Sequence, residues 1–189
     1  MKRIALAVAA LALCAQAQAA VLFQDNLDNL NNWTRKAGWS FAYTTNNELH
    51  FSSGNSAGDI FSNQTFTRGY FNFEYKGTAG FDTSGYFGIS AGFPGNHYWY
   101  AGGSVTYSTP VRLINDGQFH RYSVYFDNAV LGGAPAHLML EQFAGNTPDV
   151  AVFRRLSVTD TAPVPEAETW AMLGLGLGAL AMLRRRRQA

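Results

Sequence analysis

The chain has 189 residues, is 47% hydrophobic and 14% charged, and carries a formal net charge of +1. That length fits one domain of common size with shorter segments at its ends. The single cysteine, Cys14, excludes a disulfide within the chain and any site that needs several thiolates, and the weak net charge speaks against nucleic acid as a partner.

At the N-terminus, Lys2 and Arg3 precede the apolar run Ile4 to Leu13, and Ala17-Gln18-Ala19 offers the small-x-small pattern of a signal peptidase site. Residues 1–20 therefore read as a signal peptide, with export across the inner membrane and a mature start near Ala20 or Val21. Cys14 after Leu11-Ala12-Leu13 leaves open a lipoprotein signal, although that signal wants a small residue where Leu13 stands. Ordinary cleavage discards Cys14 and leaves no cysteine for a disulfide, despite the oxidising compartment. With both ends set aside, residues 21–162 hold eight basic and eleven acidic side chains. The body is thus faintly acidic, and no basic patch is expected for nucleic acid or anionic lipid.

The segment 21–161 reads as one all-β domain. Trp39, Phe41 and Tyr43 alternate with Ser40 and Ala42, Phe71, Phe73 and Tyr75 with Asn72 and Glu74, and Tyr122, Val124 and Phe126 with Ser123 and Tyr125. A period of two places one set on a core face and the other toward water. Strands are predicted at Val21–Gln24, Ser40–Tyr43, Glu48–Ser52, Asp59–Phe66, Tyr70–Lys76, Gly85–Ser90, Tyr98–Ala101, Val111–Leu113, His120–Asp127, His137–Phe143 and Val150–Thr159. Turn clusters separate them, among them Thr44-Thr45-Asn46-Asn47, Ser53-Gly54-Asn55 and Leu131-Gly132-Gly133, with Asp116-Gly117 as a hairpin signal. Only a short turn around Asn26 to Trp33 breaks the pattern. The spacing predicts a two-sheet antiparallel β-sandwich of jelly-roll type whose first and last strands pair.

Asp116-Gly117-Gln118-Phe119-His120-Arg121-Tyr122 resembles a segment recurrent in lectin-like, laminin G-like and carbohydrate-binding jelly rolls, which implies a sugar-binding module. Sugar binding needs exposed aromatic rings for the apolar face of a pyranose and nearby polar groups for its hydroxyls. Asn96-His97-Tyr98-Trp99-Tyr100 supplies both in five residues after the loop Gly92-Phe93-Pro94-Gly95. Strand alternation sets Tyr98 and Tyr100 against His97 and Trp99, so at most one pair is surface. Trp33 and Trp39 read as core or rim residues. Many carbohydrate-binding jelly rolls hold a structural calcium between their first and last strands. Here Asp25 and Asp28 are available at the start, but Phe153-Arg154-Arg155 stands where an acid is wanted, so no cofactor is expected. His50, His97, His120 and His137 lack zinc spacing. Glycoside hydrolysis needs two carboxylates across a cleft. Glu48, Glu74 and Glu141 form no acid-rich motif, Glu74 reads as solvent-facing, and no nucleophile elbow or phosphate loop is present, so an enzyme is not expected.

The chain ends in a distinctive label. Between Pro165 and Arg184 lie 18 residues, largely apolar from Trp170 to Leu183 and followed by Arg184-Arg185-Arg186-Arg187. A helix of that length just spans a hydrocarbon core, and the arginines hold its end in the cytoplasm. Gly174, Gly176 and Gly178 weaken the helix and let another approach closely. Chemistry alone leaves an ordinary C-terminal anchor open. Val164-Pro165-Glu166, Trp170, the Gly/Leu-rich segment and the arginine cluster nevertheless resemble, in order, the PEP-CTERM sorting signal of Gram-negative bacteria, with Ala167 where that family usually has a second proline. The resemblance implies transient insertion in the inner membrane and an exosortase partner that removes the tail at residues 162–189. The sequence thus predicts a protein of the cell surface or extracellular matrix that binds or organises exopolysaccharide. A structural or protein-binding matrix component is the alternative, and a polysaccharide-degrading enzyme a third.

Overall fold

Alternating side chains become two sheets in the computed structural model, which describes residues 19–36, 42–52, 58–80, 85–93, 95–104, 108–143 and 147–163. The expected signal-peptide core, the tail from Val164 through Pro165, Glu166, Trp170 and Arg184–Arg187, Trp39, Phe41 and the Ser53-Gly54-Asn55 turn lie outside the described residues. Ala20–Ala162 forms one compact unit. Among the described residues no helix is long and apolar enough to cross a membrane.

The strands are β1 (Val21–Asp25), β2 (Trp33–Arg35), β3 (Ala42–Thr45), β4 (Glu48–Phe51), β5 (Gly58–Phe66), β6 (Arg68–Gly77), β7 (Gly85–Ser90), β8 (His97–Gly102), β9 (Val111–Arg112), β10 (His120–Asp127), β11 (Ala136–Gln142) and β12 (Ala151–Thr159). Sheet A has the order β10-β6-β12-β4-β3 with β1 also on β12, and sheet B the order β2-β5-β11-β7-β8-β9. All pairs are antiparallel except β8 with β9. First and last strands do pair, Val21 opposite Thr159 and Asp25 opposite Leu156. The fold is the expected all-β sandwich.

The core lies between the sheets. Phe71, Phe73 and Tyr75 of β6, Val124 and Phe126 of β10 and Phe153 of β12 face Phe87 and Ile89 of β7 and Leu138 and Leu140 of β11. Phe71 and Phe87 meet across the gap with centroids 4.5 Å apart. Such ring pairs add about 0.5–1.5 kcal/mol each beyond their buried area.

Two local features depart from the sequence reading. Trp33 does not close a turn but starts β2, a strand of three residues too short to show alternation. Its indole Nε1 donates to Asp25 Oδ2 at 2.7 Å. Asp116-Gly117 joins no hairpin, because β9 and β10 lie in different sheets. Asp116 instead accepts from Gln118 N and pairs with His120 Nε2, while Gly117, at φ +81°, donates its N–H to Gly77 O. This ties the corner to the end of β6. The hairpin turn is Asn46-Asn47, whose φ values of +53° and +59° are those of a type I′ loop between β3 and β4.

Two bulges reset which side chains share a face. On β12, Arg154 opposes Glu74 but Ser157 opposes Asn72, and the additional residue Arg155 takes φ +55°. Both Arg154 and Arg155 thereby reach the outer face. On β8, Ala101 opposes Phe87 and Trp99 opposes Gly88, so Tyr100 is the additional residue and joins Ala101 in the core.

Candidate functional site

Strand β8 divides the aromatic cluster. Tyr100 is buried in the core, its hydroxyl donating to Asp127 O at 2.5 Å and accepting from Asp127 N at 3.0 Å. Tyr98 lies on the same side but is 40% exposed, its ring 4.9 Å from that of Tyr100. His97 and Trp99 turn to the outer face of sheet B, with centroids 5.6 Å apart. His97 and Asn96 are exposed and Trp99 is half-buried. Beyond β8, β9 pairs only with Ala101 and Gly102.

Glycines seat the rings on this face. A Cβ at Gly88 would come within 2.8 Å of Trp99 Cε3, and one at Gly102 within 2.6 Å of Tyr86 Cε1. Each ring therefore lies across the neighbouring strand where no side chain stands. Trp99 and Tyr86 in turn pack at 5.4 Å. Residues on either side of Pro94 in the β7–β8 loop are tied to one another by hydrogen bonds. Ser90 Oγ donates to Gly92 O and accepts from Gly95 N, and Ala91 N donates to Asn96 O. The loop carries Phe93, 46% exposed, against His137 at 4.0 Å and Phe61 at 5.6 Å. Phe93, His97 and Trp99 thus rim one patch, with His137 beneath.

Farther along the same face lie three ionisable side chains. Asp59 and Glu141 oppose each other on β5 and β11, 4% and 6% exposed, and Lys36 Nζ reaches Asp59 Oδ2 at 2.8 Å. Burial, with the hydrogen bond and charge of Asp59, pushes Glu141 up to about 9 against a smaller opposing effect of Lys36. At neutral pH Glu141 keeps its proton, beside the pair that Lys36 makes with Asp59. Sequence reasoning had no means to see this pair, because its members lie on strands far apart in the chain.

The first-strand acids serve the fold. Asp25 is buried and accepts from Leu27 N, Asn32 Nδ2 and Trp33 Nε1. These donors fill the carboxylate with N–H groups, which a cation does not share. Asp28 is exposed and accepts from Asn29 Nδ2. Among the described residues no three His, Cys, Asp or Glu side chains converge as a metal site.

The outer face of sheet A corrects two readings. Glu74 points outward, as the alternation requires, yet it is only 6% exposed. Arg121 Nε and Arg155 Nη1 both donate to its Oε1 at 2.9 Å, and Arg154 Nε donates to its Oε2 at 2.7 Å. Burial pushes this carboxyl up, but hydrogen bonds from Arg154 and Arg121 and the nearby guanidinium charges outweigh it and hold Glu74 below the ordinary range. The expected lack of a basic patch is also overturned. Lys76, Arg121, Arg154 and Arg155, half of the eight basic residues in 21–162, gather on or beside β6, because the β12 bulge delivers two arginines in succession.

No protein-family model matches the chain, and no curated protein does. Solved structures do match by shape. A variant of the module CBM29-2 complexed with cellulohexaose, described as a family 29 carbohydrate-binding module, aligns with a TM-score of 0.53 at 12% identity, over 77% of this chain and 94% of that one. Another variant of the module gives 0.52 at 12% identity over 77% and 94%, and a structure described as carbohydrate binding module family 29 gives 0.51 at 12% identity over 77% and 90%. At this identity the likeness shows a shared β-sandwich fold.

Proposed function

We infer that the chain is an exported polysaccharide-binding protein of the bacterial surface or extracellular matrix, delivered by its signal peptide and sorted through its Val164–Arg187 tail by an exosortase. The observation that carries the binding half of this reading is the patch of Phe93, His97 and Trp99 at the open end of β8. Aromatic rings there stand at the surface beside the polar groups of Asn96 and His137. A sugar ring stacks on such carbon faces, and adjacent amide and imidazole groups orient its hydroxyls. Structures of the same shape include a module complexed with cellulohexaose, which supports a β-linked glycan as the first probe.

Affinity electrophoresis through soluble glucans and through the host's own exopolysaccharide tests the binding. The parent is retarded and Trp99→Ala migrates freely. Equal migration of both, with no retardation in any polymer, refutes the sugar site and leaves a structural matrix component. For sorting, mass spectrometry of the native protein from its host shows a C-terminus near Pro165, whereas an intact Arg184–Arg187 end would mean a retained membrane anchor.

A further inference from the structure

The outer face of sheet A is a second surface, independent of the β8 patch, and its residues form ordered rows. Cross-strand register sets Arg121 beside Glu74 and Arg154, Ser123 beside Asn72 and Ser157, and Tyr125 beside Tyr70 and Thr159. Successive rows are two residues apart, about 7 Å. From the arginine row to the tyrosine row is therefore about 14 Å, close to three sugar units.

Within the arginine row the three guanidiniums have different duties. Arg154 is braced on every side: by Glu74, by Glu48 Oε1 at 3.2 Å, and by the Phe119 ring at 3.6 Å from its Cζ. Its side chain is 32% exposed, while those of Arg121 and Arg155 are 74% and 64% exposed. Each of these two spends one N–H on the same oxygen, Glu74 Oε1, and turns its remaining donors to solvent. Glu74 and Glu48 together cannot neutralise three guanidiniums, so the row keeps positive charge in an otherwise acidic domain. Two aimed guanidiniums around one point bind a carboxylate through paired, charge-assisted hydrogen bonds. At the far end of the rows Tyr125 is 47% exposed, packs on Tyr70 at 5.3 Å, and has its hydroxyl fixed on Asp127 Oδ2 at 3.0 Å. That ring is a stacking surface for a pyranose.

We propose that this face binds an acidic polysaccharide, a uronate polymer, with Arg121 and Arg155 clamping a carboxylate, the exposed Ser123 meeting a hydroxyl, and Tyr125 stacking a sugar farther along the chain. Two faces with different glycan preferences on one small sandwich let a single molecule join polymers, the matrix role in its simplest form.

The test uses polygalacturonate and its fully methyl-esterified form, which share a backbone and differ in charge. Polygalacturonate retards the parent at 50 mM NaCl and at least fivefold less at 500 mM, since exposed ion pairs are screened. The methyl ester loses the same retention. The pair Arg121→Gln and Arg155→Asn, the latter chosen because Asn tolerates positive φ, lowers retention at least fivefold with an unchanged melting temperature, and Trp99→Ala leaves it intact. If the double variant is unstable, Arg121→Gln alone gives at least a twofold loss. Absence of parent binding at low salt overturns the proposal. So does retention equal in parent and folded variants, or binding to phosphatidylglycerol vesicles without binding to polygalacturonate. Loss of neutral-glycan binding in Trp99→Ala with polygalacturonate binding intact separates this surface from the β8 patch.

Discussion

The two outer faces each bury a glutamate and treat it in opposite ways. On sheet A, Glu74 sits under Arg121, Arg154 and Arg155 and is held ionised. On sheet B, Glu141 lies against Asp59, with Lys36 as the nearest cation, and is held protonated. Burial raises both carboxyls, more heavily at Glu141, and the partners then act in opposite directions, Asp59 raising one and the arginines lowering the other. It follows that one face projects charge and the other cancels it. A charged polymer suits sheet A, and an uncharged sugar over seated aromatic rings suits sheet B.

The largest effect should come from removing the shared anion of sheet A. Glu74→Ala leaves three crowded guanidiniums, one of them largely buried, and should lower stability by about 3 kcal/mol, a fall of about 10 °C in melting temperature. A fall under 2 °C in a thermal scan would show that the arginines do not depend on Glu74.

Next comes pH. Glu141 binds its proton in the folded state up to about 9 but only to 4.5 when free. Between these values the folded protein holds a proton that the unfolded chain has released, so stability is full below about 4.5 and declines as pH rises toward 9. We expect about 1–2 kcal/mol less stability at pH 8.5 than at pH 5.5, within the limit of about 1.4 kcal/mol per unit for one group. Glu141→Gln keeps the hydrogen bond and should flatten that slope. Glu74 acts in a separate window. Its depressed carboxyl favours the fold above 4.5, and that contribution disappears only in stronger acid. Urea unfolding at both pH values checks the sign, and a parent more stable at pH 8.5 would contradict it.

A smaller change is expected for Trp99→Ala. Loss of one stacking ring should weaken glycan retention about tenfold, corresponding to about 1.4 kcal/mol, with little change in melting temperature because Trp99 is only half-buried. The smallest belongs to Arg121→Gln. An ion pair from so exposed a side chain contributes well under 1 kcal/mol, so its unfolding midpoint should match the parent while binding to uronate falls.

Alternation made the long strands legible. Phe71, Phe73 and Tyr75, and likewise Tyr122, Val124 and Phe126, lie on the core side as a period of two demands. The Asn46-Asn47 turn and the pairing of the end strands were legible too. The bulges at Arg155 and Tyr100 were not, since one additional residue switches faces without any local marker. This is why the turn of both Arg154 and Arg155 onto one outer face could not be read from the sequence. Glu74 looked exposed because its cover comes from residues 47 to 81 positions away. The splitting of Tyr98 and Tyr100 from His97 and Trp99 followed from strand geometry, but the glycine seats under Trp99 and Tyr86 depend on neighbouring strands that no local pattern reveals.

The central claim is that a neutral glycan meets the outer face of sheet B at Trp99. Its most direct test is a titration of the protein with cellohexaose and host-derived oligosaccharides, following the indole N–H signals by NMR. The account predicts a saturable shift at Trp99, while Trp33, buried and bonded to Asp25, stays still. Saturation that moves other signals and leaves Trp99 unchanged, or no shift with any glycan, would contradict it.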